Sequence, residues 1–239
     1  MIGDIPHILL LNPNSTEFMT DNAVAAAREA SGGTFQVTGW TAPKPAPSAI
    51  ESASDGSTST AVCLAALNDR DLTKYDGLLV ACFSAHPLIQ ALRERVSIPV
   101  IGIMEAALYF ARMTGGRFGI VTASLRWEYL FQAAVENYGL NSFFAGAKSS
   151  RLSVLELESK PVDEVNAKMV QAAQDLVANG ADVLCLGCAG MVGLRAALES
   201  ALGPDITIID GVLAGAQILA GMARMGLKTA KSGVYAPLR

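Results

Sequence analysis

Two cysteines in this chain stand where a thiol can do chemistry. Cys82 directly follows the apolar run Gly77-Leu78-Leu79-Val80-Ala81, and Cys188 comes two residues after Asp182-Val183-Leu184-Cys185-Leu186. Each is followed by small or polar residues, Phe83-Ser84 in one case and Ala189-Gly190 in the other. A thiol placed just past a strand, with backbone N–H groups behind it, is set up to become a thiolate. It can then take a proton from carbon, return one, or attack as a nucleophile. The other two cysteines sit differently. Cys63 lies in the helix-like run Ala-Val-Cys-Leu-Ala-Ala and Cys185 lies within a strand, so both read as small buried hydrophobes.

Competing uses of these residues are weaker. Cys185-Leu186-Gly187-Cys188 is a C-x-x-C, but a structural zinc site wants a second pair or nearby histidines, and the chain has only His7 and His86. A redox C-x-x-C opens a helix, whereas Cys185 falls mid-strand; no metal or redox role is expected. His86, four residues after Cys82, offers a Cys–His pair, yet Pro87 beside it makes a helix-start residue the plainer reading. Glu105 and Asp210 follow strands and suit helix capping better than a pocket carboxylate. The chain has no G-x-G-x-x-G, P-loop or G-x-S-x-G motif, which weakens dinucleotide, nucleotide and serine-hydrolase readings.

The elements that must position the two cysteines follow an α/β pattern. Predicted strands are Ile8–Leu11, Phe35–Thr38, Gly77–Ala81, Pro99–Ile103, Arg117–Thr122, Asp182–Leu186 and Ile206–Ile209, with a further apolar run at Leu152–Leu157. Predicted helices are Glu17–Ala30, Thr60–Leu72, Pro87–Arg95, Trp127–Tyr138, Val162–Ala178 and Gly211–Met225. The stretch Thr41–Thr60, with prolines at 43, 45 and 47, reads as a loop. The order repeats: Ile8 and Phe118, Cys82 and Cys188, and Pro99 and Thr207 are 110, 106 and 108 residues apart. Three near-equal offsets imply two similar parallel-sheet halves, 1–103 with 211–239 and 104–210, the last helix packing back on the first half. Ligands of parallel sheets bind beyond the carboxyl ends of the strands, so the expected site is the cleft between pseudo-two-fold-related halves, with Cys82 facing Cys188.

Composition bounds the rest. The 239 residues are 51% hydrophobic and 17% charged, with a net charge of −4, which excludes a disordered chain and argues against a nucleic-acid binder. The start, Met1-Ile2-Gly3-Asp4-Ile5-Pro6, lacks the pattern of a signal peptide, and Asp210, Gln217 and Arg224 interrupt the most apolar stretch. A cytoplasmic, non-membrane protein with reduced thiols is the expectation.

Three stretches carry a family resemblance. Leu10-Leu11-Asn12-Pro13-Asn14-Ser15-Thr16 resembles the opening of the hydantoin racemases, in the aspartate/glutamate racemase superfamily. Ala81-Cys82-Phe83-Ser84 and Leu186-Gly187-Cys188-Ala189-Gly190-Met191 resemble that family's two cysteine motifs, and Ile50-Glu51-Ser52 also fits. The stretch Ala85-His86-Pro87-Leu88 departs from the Asp-Pro-Gly pattern of many hydantoin racemases and is similar to the allantoin branch. The resemblance implies two flavodoxin-like halves, no cofactor, a homo-oligomer, and a small-molecule substrate: a 5-substituted hydantoin or allantoin.

Inverting a carbon needs one group on each of its faces, which two near-equivalent thiols supply, one as thiolate base and one as thiol acid. Resemblance and strand-end position together suggest Asn14, Phe83, Ser84, Thr122, Ser124, Ala189 and Gly190 as the cradle for substrate and enolate. Other readings stay open: maleate-type cis–trans isomerisation, amino-acid racemisation, an arylmalonate-type decarboxylase, or a non-catalytic binding module. The decarboxylase would need no thiol at position 82.

Overall fold

The computed structural model describes residues 5–191 and 193–236; the leader reading of Met1–Asp4 lies outside the described residues. The elements run β1 (His7–Asn12), α1 (Glu17–Ser31), β2 (Gln36–Thr41), α2 (Ala53–Ala66), β3 (Gly77–Val80), α3 (Pro87–Arg95), β4 (Val100–Gly102) and α4 (Ile103–Thr114). They continue as β5 (Phe118–Thr122), α5 (Leu125–Asn137), β6 (Phe144–Ser149), α6 (Glu156–Ser159), α7 (Val162–Ala178), β7 (Val183–Leu186), α8 (Arg195–Leu202), β8 (Thr207–Asp210) and α9 (Gly211–Arg224). The strands form two parallel four-stranded sheets of identical order, β2-β1-β3-β4 and β6-β5-β7-β8. That order is the start of the flavodoxin-like arrangement.

Each sheet is built around a strand whose middle is apolar and buried, Ile8–Leu11 in β1 and Gly119–Val121 in β5. Ile8, Leu9, Leu10 and Leu11 of β1 are all fully buried, paired with β2 on one edge and β3 on the other. A parallel strand covered on both faces must read as a continuous apolar run, which this one does. In the first sheet Leu9, Leu11, Leu78 and Val80 pack with Cys63 of α2 and with Leu88, Ile89 and Leu92 of α3.

The chain divides into two compact units: one runs to Ile103 and resumes at Gly215, the other is Met104–Ala214. The divisions fall within α4 and α9, so each of these helices starts in one unit and continues in the other. The second division lies four residues into α9, whereas the sequence pattern breaks at residue 211, where that helix begins. In the first unit α9 lies close on β3. An added Cβ at Gly215 would sit 2.5 Å from Leu79 Cδ1, and one at Gly77 would sit 2.9 Å from Leu219 Cδ2.

Four elements depart from the sequence expectations. Helix α2 starts at Ala53, inside the predicted loop, because Ser52 and Asp55 cap it reciprocally: Asp55 N–H donates to Ser52 Oγ at 3.1 Å and Ser52 Oγ donates to Asp55 Oδ2 at 2.8 Å. Its Ser-, Thr- and Gly-rich start hides this helix from propensity. Strand β6 is Phe144–Ser149, a half-buried edge strand of small residues, while Leu152–Leu157 is not a strand and leads into α6. Helix α4 follows β4 without a loop, so no break separates its apolar residues from those of the strand, and α8 is short.

The fully buried Leu79, wedged against Gly215, tests this packing. Leu79→Ala is expected to destabilise the protein by about 2–5 kcal/mol through lost transfer energy and a residual cavity, measured as a lowered urea midpoint with an unchanged slope.

Candidate active site

In the first unit the site grows from the carboxyl ends of β1 and β3. Ala81 N–H still donates to Leu11 O at 2.8 Å, so the sheet holds the chain up to the residue before Cys82. Then it turns sharply, with Ser84 N–H donating to Cys82 O at 2.9 Å. Cys82 is half-buried, and its sulfur lies 3.2 Å from Ser84 Oγ. Phe83 is buried and anchors the turn.

His86 takes the helix-start role. It is the N-cap of α3, Pro87 occupies the first turn, and Leu88 N–H donates to His86 Nδ1 at 3.2 Å. With Nδ1 accepting, the neutral ring carries its proton on Nε2, which is buried and has no hydrogen-bond partner among the described residues. Burial holds the imidazole pKa down at about 4.

Beside Cys82's strand, the loop after β1 is held by Asn12, which is absent from the expected site residues. Its Nδ2 donates to Asn14 Oδ1 at 3.0 Å, to Thr16 O at 3.1 Å and to Thr20 Oγ1 at 3.0 Å, while its Oδ1 accepts from Asn14 N–H at 3.2 Å. The signal available was a polar residue closing a fully apolar strand. Asn14 Oδ1 also accepts from Thr16 N–H at 2.9 Å. Asn14 therefore holds its own loop with that oxygen, and its amide nitrogen lies 3.5 Å from Met19 Sδ.

In the second unit the corresponding ends are those of β5 and β7. Gly187 N–H donates to Val121 O at 2.8 Å, and any Cβ at Gly187 would meet Val121 O at 2.7 Å and Thr122 Cβ at 3.2 Å. Only glycine lets β7 pass this close to β5 before Cys188. Cys188 is half-buried and accepts from Gly190 N–H at 3.4 Å from its sulfur. Thr122, fully buried at the end of β5, has a hydroxyl without a hydrogen-bond partner among the described residues. Ser124 caps α5 by position, with no side-chain cap bond, and Ala189 and Gly190 form a single 3₁₀ turn with Met191.

Asp210 ends β8, one strand over from β7. Its Oδ1 accepts from Val212 N–H at 2.8 Å and Leu213 N–H at 3.2 Å, so it caps the start of α9 as expected. Burial, partly offset by those two N–H donors and by Arg195, pushes its pKa up. The remaining cysteines are core thiols. Burial raises the Cys63 pKa to about 11 and pushes the Cys185 thiol further up still, so neither ionises near neutrality. Among the described residues no group of three or more His, Cys, Asp or Glu could hold a metal ion, and no helix is long and apolar enough to cross a membrane.

The structure thus gathers Cys82, Phe83, Ser84 and Asn14 at the carboxyl end of one sheet, and Cys188, Ala189, Gly190, Thr122 and Ser124 at the carboxyl end of the other. In both sheets the third strand in order leads into a cysteine two residues past its end. The family model described as Asp/Glu/Hydantoin racemase matches residues 8–219, and the chain belongs to that family. It is 42% identical to an uncharacterized protein of Schizosaccharomyces pombe, over 95% of this chain and 96% of the relative. It is 32% identical to a hydantoin racemase of Rhizobium meliloti, over 96% of this chain and 94% of that enzyme. Among solved structures, an allantoin racemase from Pseudomonas fluorescens superposes with a TM-score of 0.90 at 29% identity, covering 98% of this chain and 97% of that one.

The depressed pKa of His86 makes a stability prediction. The unfolded imidazole titrates near 6.5 and the folded one near 4, so the folded state binds fewer protons between these values. Stability from this group is present above pH 6.5 and is lost as the pH falls toward 4. His86 alone should cost the wild type about 2 kcal/mol between pH 7.5 and pH 5. His86→Asn keeps a capping side chain and removes that component, read as the difference between urea unfolding free energies at the two pH values.

Proposed function

We propose that this racemase inverts C5 of a 5-substituted hydantoin or of allantoin, using Cys82 and Cys188 as the two proton-transfer groups. The observation that carries the reading is the repeat in the site: strands β3 and β7 hold the same place in sheets of identical order and each leads into a half-buried cysteine. The likeness to a hydantoin racemase and to an allantoin racemase over nearly the full chain supports the substrate class.

The chemistry follows from the substrate's own acidity. One cysteine, as thiolate, takes the C5 proton, and the electron pair of that C–H bond moves onto the neighbouring carbonyl oxygen to give an enolate. The other cysteine, as thiol, delivers a proton to the opposite face, and the enolate electrons return to carbon. The two sulfurs finish with their protonation states exchanged, ready for the opposite hand of substrate. A free cysteine titrates near 8.5, so modest stabilisation of the thiolate brings it into working range. The N–H groups of Phe83 and Ala189, with Asn14, Thr122 and Ser124, are proposed to hold ring and enolate, while the Gly190 N–H, expected there too, is given to the Cys188 sulfur; the unpartnered Thr122 hydroxyl is the most available donor among the side chains. Because disulfide formation would remove both proton carriers, a reducing compartment such as the cytoplasm suits this chemistry.

Chiral chromatography on allantoin, benzylhydantoin and isopropylhydantoin, with and without thiol alkylation, tests the substrate class. Cys82→Ser and Cys188→Ser are each expected to abolish inversion, by at least about a thousandfold, while the proteins remain folded. Each variant should retain solvent-deuterium exchange into one enantiomer only. Full racemisation by either would overturn the two-base reading.

A further inference from the structure

We propose that Ser84 is the positioning residue of Cys82: its hydroxyl follows the sulfur through both protonation states, rather than binding substrate as its place in the motif suggests. Ser84 is buried, and the one hydrogen-bond partner of its Oγ among the described residues is Cys82 Sγ, 3.2 Å away. The hydroxyl is not used for capping α3, since His86 does that. A buried hydroxyl with a sulfur as its partner donates to a thiolate and accepts from a thiol, and because the bond to the charged form is the stronger, its net effect favours the thiolate.

The second unit gives an independent indication that this position serves sulfur. Gly190 stands two residues after Cys188, as Ser84 stands two after Cys82, and its backbone N–H donates to Cys188 Sγ at 3.4 Å. The same place in the repeat thus addresses the sulfur in both units, through a side chain in one and the main chain in the other. An amide N–H only donates, whereas the Ser84 hydroxyl reverses its role. That matters for a group that must alternate between base and acid, and it makes the Cys82 half of the reaction sensitive to a side chain that can be changed.

The inference rests on the racemase reading for the direction of proton transfer, but its main test needs no substrate. Iodoacetamide alkylation of Cys82 and Cys188, resolved by peptide mass spectrometry from pH 6 to 10, follows each thiolate separately. In Ser84→Ala the alkylation rate of Cys82 at pH 7 should fall roughly tenfold, with its pH midpoint moved up, while the Cys188 profile stays in place. Ser84→Thr, which keeps the hydroxyl, should restore the wild-type profile. An unchanged Cys82 profile in Ser84→Ala, or equal shifts at both cysteines, would overturn the inference.

With a racemised hydantoin in hand, Ser84→Ala should lower kcat for both enantiomers, because Cys82 is base for one hand and acid for the other and an equilibrium constant of one ties their kcat/KM values together, and should leave KM in place. A raised KM with kcat retained would instead make Ser84 a substrate contact. If no hydantoin is racemised but the Cys82 profile shifts as stated, the coupling of Ser84 to Cys82 stands and the substrate assignment falls.

Discussion

Burying a parallel strand on both faces is the constraint from which the rest follows. Ile8 to Leu11 can be fully buried only if helices cover both sides of the first sheet and both edges of β1 are paired. Parallel pairing then requires each strand to return by a long crossover, so every loop leaving a carboxyl strand end is gathered at one edge of the sheet. Backbone N–H groups freed there have no ladder partner, and the loops that use them are where polar chemistry can be placed without disturbing the core. Cys82 and Cys188 occupy that edge in their respective sheets, while Cys63 and Cys185 lie in the apolar interior, where a thiolate is too costly to form.

The two units share a plan but solve the same local problems with different atoms. At the end of the second strand in sheet order, Ala42 N–H donates to Asn12 O in one unit and Ser150 N–H donates to Thr122 O in the other. Asn12 spends its side chain on knitting its own loop, whereas the Thr122 hydroxyl is left over. At the next strand, Ala81 leads to Cys82 in one unit, while Gly187 takes the matching place because any larger residue would collide with Val121 O. Two residues past each cysteine, a hydroxyl stands opposite a main-chain amide.

Much of the fold was legible because burial writes itself into apolar runs. Strands such as β1, β3 and β7 are short, continuous and hydrophobic, and the near-constant offsets between halves announced the duplication. What stayed hidden had other physics. Helix α2 is imposed by a Ser52–Asp55 cap and by tertiary packing of Gly56, Ser59 and Cys63 against local propensity. Strand β6 lies at a sheet edge, where small and polar residues are tolerated, so its sequence lacks a strand's signature while the more apolar Leu152–Leu157 misleads. The division at Gly215 falls four residues inside α9, whereas the sequence pattern marks only the start of that helix.

By itself the sequence determined the α/β class, the repeat, and which two of four cysteines fall beyond strand ends, because residue type, period and spacing are properties of the chain. Only the tertiary structure decided what each polar group is spent on: His86 and Asp210 on helix starts, Asn12 on its own loop, Ser84 on the sulfur of Cys82. Hydrogen bonds are satisfied in three dimensions over distances of about 3 Å, and sequence separation carries no record of which acceptor a donor will find there.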